Sequence, residues 1–397
     1  MPEMLQGNAV VGQSGGPTAV INQSLVGVIE AARKTQAMRK LLGARHGVRG
    51  IKTNDFVDLR KPSPALLERV ANTPSSALGS TRDKPDAEYC RAIFQVFARQ
   101  DVRYFFYIGG NDSADAARII SELARKESYP LRVFHIPKTI DNDLRVTDHC
   151  PGYGSAARFV ACAILGDDRD SAALPGVKID IIMGRNAGWL TAASALARTD
   201  KNGGPHLIYV PERGFSEQQF LDDVKAVNDR LGRCLVAMSE GVVDAGGALW
   251  AGKIAASDEV DAHGNKQLSG TGALGDFFAN LVRAKLGIPR VRADTFGYLQ
   301  RSFAGFASPI DAREARMCGR KAVEFATKGD RDGTVLILRK KQPGYGVSYV
   351  RGELKDVARE TKPLPDDFLA ANGHDVTPAF LKYARPLVGE LPEIGKL

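Results

Sequence analysis

The feature that most constrains this chain is an order of segments repeated along most of its length. A short, largely apolar run is followed by a break of glycine and polar residues, and then by a stretch with helical periodicity. Residues 102–108 (VRYFFYI) lead through Gly109, Gly110, Asn111 and Asp112 into residues 113–126, where Ala116, Ile119, Ile120 and Leu123 make one apolar face. Strand-like 8–11 precedes helix-like 18–34, and 131–136 precedes 153–165. Further on, 177–183 precedes 187–198, 206–210 precedes 216–231, and 234–238 is again a strand. A helix fits 272–286, a strand 291–296, a helix 311–328 and a strand 334–338. Apolar strands without in–out alternation are buried on both faces, and strands separated by helices pair in parallel. The pattern predicts an α/β protein with doubly wound, mainly parallel sheets. Ligands of such folds gather at the carboxyl ends of the strands, so the breaks after the strands are where chemistry is expected.

Bulk properties narrow the setting. The 397 residues suffice for two domains of ordinary size. At 44% hydrophobic and 25% charged, the composition is that of a folded globular protein. The five cysteines (Cys90, Cys150, Cys162, Cys234, Cys318) are scattered with no CxxC spacing, so reduced, buried thiols in a cytoplasm are expected. The N-terminus lacks a basic stretch followed by an apolar run, and no apolar stretch reaches the ~20 residues of a membrane helix. A soluble, cytoplasmic protein is expected, with no membrane partner. The net charge of +8 suits either nucleic acid or small polyanions. The basic residues are dispersed, the densest run (Arg339-Lys340-Lys341) sits at a strand end, and no aromatic-and-basic interleaving is present. Nucleic acid is therefore not an expected partner. Residues 244–264 read as a loop or hairpin region, and the last ~60 residues, with several prolines and weak periodicity, read as a wrapping tail.

Five breaks carry residue types suited to phosphate chemistry. Gly12-Gln13-Ser14-Gly15-Gly16-Pro17-Thr18 would let backbone amides at a helix start approach an anion, although a plain tight turn explains it equally well. In Gly109-Gly110-Asn111-Asp112-Ser113, two glycines permit a sharp turn and an Asn–Asp pair offers hard oxygen ligands. Alone, that segment reads first as a capped helix start, with Asp112 or Ser113 as the cap. Pro137-Lys138-Thr139-Ile140-Asp141-Asn142-Asp143 puts an ammonium, a hydroxyl and two carboxylates in one loop. Phosphoryl transfer needs those types together: a cation for the transferring group, a hydroxyl to donate to it, and a carboxylate to accept the proton of the attacking hydroxyl. Met183-Gly184-Arg185 before a helix suits an oxyanion clamp. Arg292 with Gly297-Tyr298-Leu299-Gln300-Arg301 suits a terminal phosphate, though a surface salt bridge would use the same arginines.

In this order, PKTIDND, MGR and GYLQR closely resemble the phosphofructokinase family, over roughly four-fifths of the chain, up to the helix after Ser308-Pro309-Ile310-Asp311. The resemblance implies two domains with the active site in the cleft between them. A donor-binding domain would comprise 1–147 plus 265–310, and a sugar-phosphate-binding domain 148–264 plus 311–330, with 331–397 an extension wrapping the core. It implies Asp141 as the base toward the 1-hydroxyl of fructose 6-phosphate. Lys138, Thr139 and Arg185 would contact the transferring group. Gly15, Gly16, Arg82, Gly110 and Asp112, with Lys138, would line the donor site. Met183, Gly184, Glu240, Arg292, Tyr298 and Arg301 would bind the sugar phosphate, together with Thr139, Asp141 and Arg185. Asn111, Asp112 and Asp143 would hold Mg²⁺. One arginine of the 6-phosphate clamp comes from a neighbouring subunit in this family, so a homodimer or homotetramer with a shared site is implied.

Two positions bear on the donor. ATP-using relatives have Gly-Gly-Asp-Gly where this chain has Gly109-Gly110-Asn111-Asp112, and the last glycine leaves room for the nucleotide's α-phosphate. A carboxylate there fills the space and repels that phosphate. ATP relatives also have Gly where this chain has Lys138, whose charge would serve pyrophosphate. Both positions resemble the pyrophosphate-dependent branch, and the expected reaction is reversible phosphoryl transfer from pyrophosphate to fructose 6-phosphate. The rival expectations are an ATP-dependent kinase, a preference for sedoheptulose 7-phosphate, and a basic binding protein that keeps the fold without catalysis. Asn111 replaces the family's usual aspartate, and Gly176 stands where many bacterial relatives have a cross-subunit arginine.

Overall fold

The computed structural model describes residues 4–254, 272–358 and 360–395. The described strands are β1 (Gly7–Gln13), β2 (Met38–Ala44), β3 (Phe56–Asp58), β4 (Val102–Gly109), β5 (Arg132–Pro137), β6 (Val177–Ile182), β7 (Leu207–Tyr209), β8 (Cys234–Ser239), β9 (Val291–Thr295), β10 (Asp332–Arg339) and β11 (Val347–Gly352). The helices are α1 (Ile21–Arg33), α2 (Val48–Lys52), α3 (Pro64–Ala71), α4 (Ala87–Arg99), α5 (Asn111–Lys126), α6 (Tyr153–Ala173), α7 (Trp189–Ala193), α8 (Glu217–Leu231), α9 (Trp250–Ile254), α10 (Ala273–Leu286), α11 (Pro309–Thr327), α12 (Leu354–Val357) and α13 (Pro378–Val388). Local chemistry sets several of their ends. Asp86 and Ser216 accept N–H bonds at the starts of α4 and α8, and Ser308 does so for α11 with Pro309 at its first position. Gly232 closes α8 in the left-handed region at φ 71°.

The chain divides into two compact units, residues 1–153 with 301–361 and residues 154–300 with 362–397. The first holds a seven-stranded sheet in the order β11-β10-β5-β4-β1-β2-β3. Its five inner strands run parallel, and the edge strands β3 and β11 are antiparallel to their neighbours. β4 lies mid-sheet with Tyr104, Phe105, Phe106 and Ile108 excluded from solvent, which is why its sequence lacks alternation. On one face α1 and α11 cross so closely that a Cβ at Gly27 would lie 2.0 Å from the Arg316 carbonyl oxygen, and one at Gly319 2.1 Å from that of Ser24. The second unit holds a parallel sheet in the order β7-β8-β6-β9, with Phe215, Phe220, Trp250 and Phe278 packed in its core.

These units differ from the ranges expected from sequence. β9 pairs with β6, from Val177↔Val291 to Ile181↔Thr295, which draws residues 272–300 into the second unit. α11 packs on α1, and β10 and β11 extend the larger sheet, so residues 311–361 join the first unit. The expected tail is not a single wrap. It contributes β11 and α12 to the first unit and α13 to the second, where Trp189 meets Phe368 and Tyr383. The helix expected over 187–198 is the five-residue α7 followed by a 3-10 turn, Ser194–Ala197. Of the 244–264 loop region, residues 255–264 lie outside the described residues.

Candidate active site

In the first unit the candidate residues cluster at the carboxyl ends of β1, β4 and β5. Gly15 has φ 74°, and a Cβ there would sit 3.0 Å from Lys138 Nζ. A Cβ on Gly16 would sit 3.2 Å from Arg301 Cζ. Residues 78–82 dock on the same turn: Gly15 N–H donates to the Thr81 carbonyl at 3.0 Å, and Ser80 Oγ donates to the Gly15 carbonyl at 2.6 Å. Lys138 is 4% exposed, and its pKa is pushed down to about 8, mainly by burial and next by the Arg301 charge. Asp141 and Asp143 push it back up, and Arg82 pushes it further down. Three cations thus share one glycine turn, which is an arrangement suited to a polyanion. Arg301, expected with Tyr298 and Arg292 at the sugar phosphate, also comes close to the first glycine turn. Its guanidinium belongs to the Gly16–Lys138 group, because residue 301 is where the chain re-enters the first unit.

β4 leads into the second glycine turn. Gly109 admits no side chain, since its Cβ would lie 1.9 Å from Ser113 Oγ and 2.5 Å from Ser14 Oγ. Those two hydroxyls hydrogen-bond each other and tie the β1 and β4 turns together. At Gly110 a Cβ would meet only the Lys138 carbonyl, at 3.7 Å, so space lies open there. The expected cap, Asp112 or Ser113, is corrected. Gly110 occupies the N-cap position of α5, and Asp112 lies in the first turn, its side chain 62% exposed and 3.9 Å from Lys84. A carboxylate in a first turn is favoured by the helix dipole.

The 137–143 loop is tightly held. Lys138 N–H donates to the Gly109 carbonyl at 2.9 Å, and Thr139 N–H donates to that of Pro151 at 3.1 Å. Thr139 Oγ1 accepts from the Asp141 N–H at 3.1 Å, and buried Asn142, at φ 57°, accepts the Cys150 N–H at 2.9 Å. Beneath the loop, His135 is excluded from solvent with its pKa pushed down to about 4 by burial. A neutral ring fits its contacts: Nε2–H donates to the Gly109 carbonyl at 2.8 Å, and Nδ1 accepts from Thr334 Oγ1 at 2.8 Å. Sequence reasoning missed Ser14, Ser113, Ser80 and His135. Each is an ordinary polar residue whose role appears only when strands distant in sequence are paired.

In the second unit, β6 and β8 bring Arg185 and Glu240 together. Glu240 N–H donates to the Ile182 carbonyl at 2.8 Å. Ser239 Oγ donates to the Gly184 carbonyl at 2.6 Å, and a Cβ on Gly241 would lie 2.0 Å from the Arg185 carbonyl oxygen. Met183 N–H donates to Gln300 Oε1 at 3.3 Å, which ties the Tyr298 turn to the same strand end. Glu240 is buried and Tyr298 is 48% exposed. Arg292 stands apart from this set. It is exposed on β9, the edge strand, with its guanidinium on its neighbour's carbonyl, Val291 O, at 3.0 Å.

Asn111, Asp112 and Asp143 form no three-carboxylate cage. Asn111 Nδ2 donates to the Glu360 carbonyl at 2.8 Å, a bond that leaves its amide oxygen as an acceptor. Two carboxylates and an amide oxygen fit Mg²⁺, which keeps waters and takes much of its coordination from substrate phosphates. Among the described residues, the acidic trio within 4.8 Å is Asp167, Asp180 and Asp294 of the second unit. The Lys178 ammonium pairs with Asp167 at 3.3 Å and with Asp294. Buried Asp180 is held well above the usual carboxylate range by burial first and Asp167 second. The Lys178 ammonium thus already pairs with two of the three carboxylates, and burial disfavours charge on the third.

The phosphofructokinase family model matches residues 8–326. A pyrophosphate–fructose 6-phosphate 1-phosphotransferase of Rhodospirillum rubrum is 56% identical over 395 residues, covering 99% of this chain and 97% of the relative. One of the same name from Xanthomonas campestris is 39% identical, covering 98% and 93%. A crystal structure of pyrophosphate-dependent phosphofructokinase from Nitrosospira multiformis superposes with a TM-score of 0.88 at 34% identity, covering 98% of this chain and 94% of that one. With the strand-end loops carrying the family's residues in its order, this chain belongs to the phosphofructokinase family.

Proposed function

We propose that this chain catalyses reversible transfer of a phosphoryl group from pyrophosphate to the 1-hydroxyl of fructose 6-phosphate. The observation that carries the donor assignment is the trio of cations at the Gly15–Gly16 turn, with buried Lys138 at its centre and Asp112 in the first turn of α5. The names of its relatives agree with it. Asp141 takes the proton of the 1-hydroxyl, whose oxygen forms a bond to the terminal phosphorus while the bridging P–O bond breaks and phosphate leaves. Thr139 and Arg185 steady the transferring group, and Lys138, Arg82 and the amides of Gly15, Gly16 and Gly110 hold the leaving phosphate. Asp112, Asp143 and the Asn111 amide oxygen would hold Mg²⁺, which would supply charge neutralisation of the phosphates. Met183, Gly184 and Glu240 orient the sugar. The first unit then serves as the donor-binding domain and the second as the sugar-phosphate-binding domain. The protein works in the cytoplasm, and no described helix is long and apolar enough to cross a membrane.

The test is a donor panel: purified protein, Mg²⁺ and fructose 6-phosphate with pyrophosphate or ATP. Turnover is expected with pyrophosphate and not with ATP. Because the free Lys138 ammonium is lost as pH rises through about 8, the KM for pyrophosphate should climb above that pH. ATP preference would return the ATP-kinase reading, and replacing the sugar with sedoheptulose 7-phosphate settles the acceptor.

Arg292, Tyr298 and Arg301 are proposed as the 6-phosphate clamp, and the exposure of Arg292 on an edge strand fits service to a neighbouring subunit of a homodimer. Loss of a charge-assisted contact costs about 1.5–3 kcal/mol. Arg292→Ala should therefore raise the sugar-phosphate KM and leave that of pyrophosphate unchanged. Arg301→Ala should raise both, because its charge also acts on Lys138. Equal effects of the two substitutions on both KM values would refute this division.

A further inference from the structure

The loop read above as the phosphoryl-transfer loop hangs on residues 147–152. Pro151 O receives the Thr139 N–H, and Cys150 N–H grips the side chain of Asn142. Gly152 N–H donates to Asp311 Oδ1 at 2.9 Å, in the first turn of α11. Thr147 Oγ1 donates to an oxygen at 3.1 Å, that of Ile337 or of His149, and accepts the Ile337 N–H at 3.0 Å. At the centre of this segment is His149, 3% exposed.

Both ring nitrogens of His149 lie against carboxylates. Nδ1 is 2.8 Å from Asp148 Oδ1, and Nε2 is 2.6 Å from Glu314 Oε2 on α11. A neutral imidazole has one N–H, so one of these contacts would set lone pair against lone pair; only the imidazolium satisfies both. The carboxylates are themselves anchored. Tyr345, between β10 and β11, donates its hydroxyl to Glu314 Oε1 at 2.6 Å, and the Arg339 guanidinium of β10 lies 3.2 Å from Asp148. Other titratable groups near the clamp are Cys150 and Tyr153 on or beside the same segment, Asp311, Arg313 and Cys318 on α11 and Tyr349 on β11; burial holds the Cys318 and Tyr349 groups toward their neutral forms.

We propose that His149 is a positioning residue for phosphoryl transfer: its imidazolium, clamped between Asp148 and Glu314, fixes residues 147–152 and through them the Thr139–Asp141 turn. This rests on the reading of residues 137–143 as the reacting loop. The two carboxylates raise the pKa of His149 against the lowering effect of burial. A raised folded-state pKa means the clamp is complete below about 6.5 and is lost as pH rises through the folded value.

The experiment uses the full-length protein, its His149→Gln variant and its Asp148→Asn variant. Nitrogen-15 spectra of the imidazoles, with His149 assigned by its absence from His149→Gln, should show it doubly protonated at pH 7. At saturating pyrophosphate, Mg²⁺ and fructose 6-phosphate, wild-type kcat should fall on an alkaline limb with the His149 pKa. Lys138 acts instead on the KM for pyrophosphate. His149→Gln should lower kcat at pH 7 by roughly 10–100-fold, the scale set by misplacing reacting groups, with the sugar KM little changed and that limb absent. Asp148→Asn removes one anion and should move the limb down by about one pH unit. A neutral His149 at pH 7, or a limb that Asp148→Asn leaves in place, overturns the proposal. If His149→Gln does not fold, the imidazole signal that shifts in Asp148→Asn assigns His149, and its protonation state with the Asp148→Asn limb still decides. A protein inactive with every donor would remove the proposed reaction, and the protonation state of His149 would still be read from the spectra.

Discussion

Asp141→Asn should lower turnover by roughly 10²–10⁴-fold, the range a general base contributes, while leaving sugar binding close to unchanged. The substitution keeps the size of the side chain and removes its capacity to accept a proton. It keeps the bond from the residue 141 backbone N–H to Thr139 Oγ1. Two further grips of the loop, Thr139 on Pro151 and Asn142 on Cys150, do not involve the carboxylate. A fall in kcat with constant KM would mark an interaction made only in the transition state. Turnover near that of wild type would remove Asp141 from the role of base. A parallel rise in the sugar KM would point to substrate orientation as its main task.

Much of this site was legible because its residues sit in short loops between strands that announce themselves. The parallel sheets follow from apolar runs such as residues 102–108, and PKTIDND carries its cation, hydroxyl and carboxylates within seven residues of sequence. What escaped depends on long-range pairing. β9, read as VRADT with a single fully buried position, carries no sign of which sheet it joins. Its pairing with β6 decides that, and with it the division of the chain into units. β2, with Arg39 and Lys40 exposed between buried neighbours, lacks the apolar run that marks an inner strand. Arg301 belongs in sequence to the GYLQR turn, yet its guanidinium lies by Gly16, 285 positions away. His149 reads locally as one polar residue in TDHCPGYG, while its partners Glu314 and Tyr345 are 165 and 196 positions distant.

Asp112→Gly combined with Lys138→Gly should raise kcat/KM for ATP by more than the product of the two single changes. Asp112 is expected to exclude the nucleotide by bulk and by repulsion. Two residues before it, Gly110 has open space, where a Cβ would meet one atom at 3.7 Å, and Asp112 itself lies in the first turn of α5 with its side chain 62% exposed. Lys138 is buried against Gly15 and is proposed to supply the charge that pyrophosphate needs in place of a nucleotide's other contacts. Asp112→Gly alone should relieve the repulsion and permit weak ATP use, while pyrophosphate use falls because a carboxylate proposed to hold the metal is gone. Lys138→Gly alone should damage pyrophosphate use without admitting ATP, since Asp112 still guards the turn. It also removes the cation that Arg301 and Arg82 oppose, so those two arginines gain freedom to meet another polyphosphate. Residues acting on one ligand couple, and double-mutant cycles measure the coupling directly. The measurement is kcat/KM for both donors across wild type, the two singles and the double. Wild-type preference for ATP would end the donor assignment. A double mutant gaining no more than the product of its singles would leave the assignment standing and show that the two residues act on the donor independently.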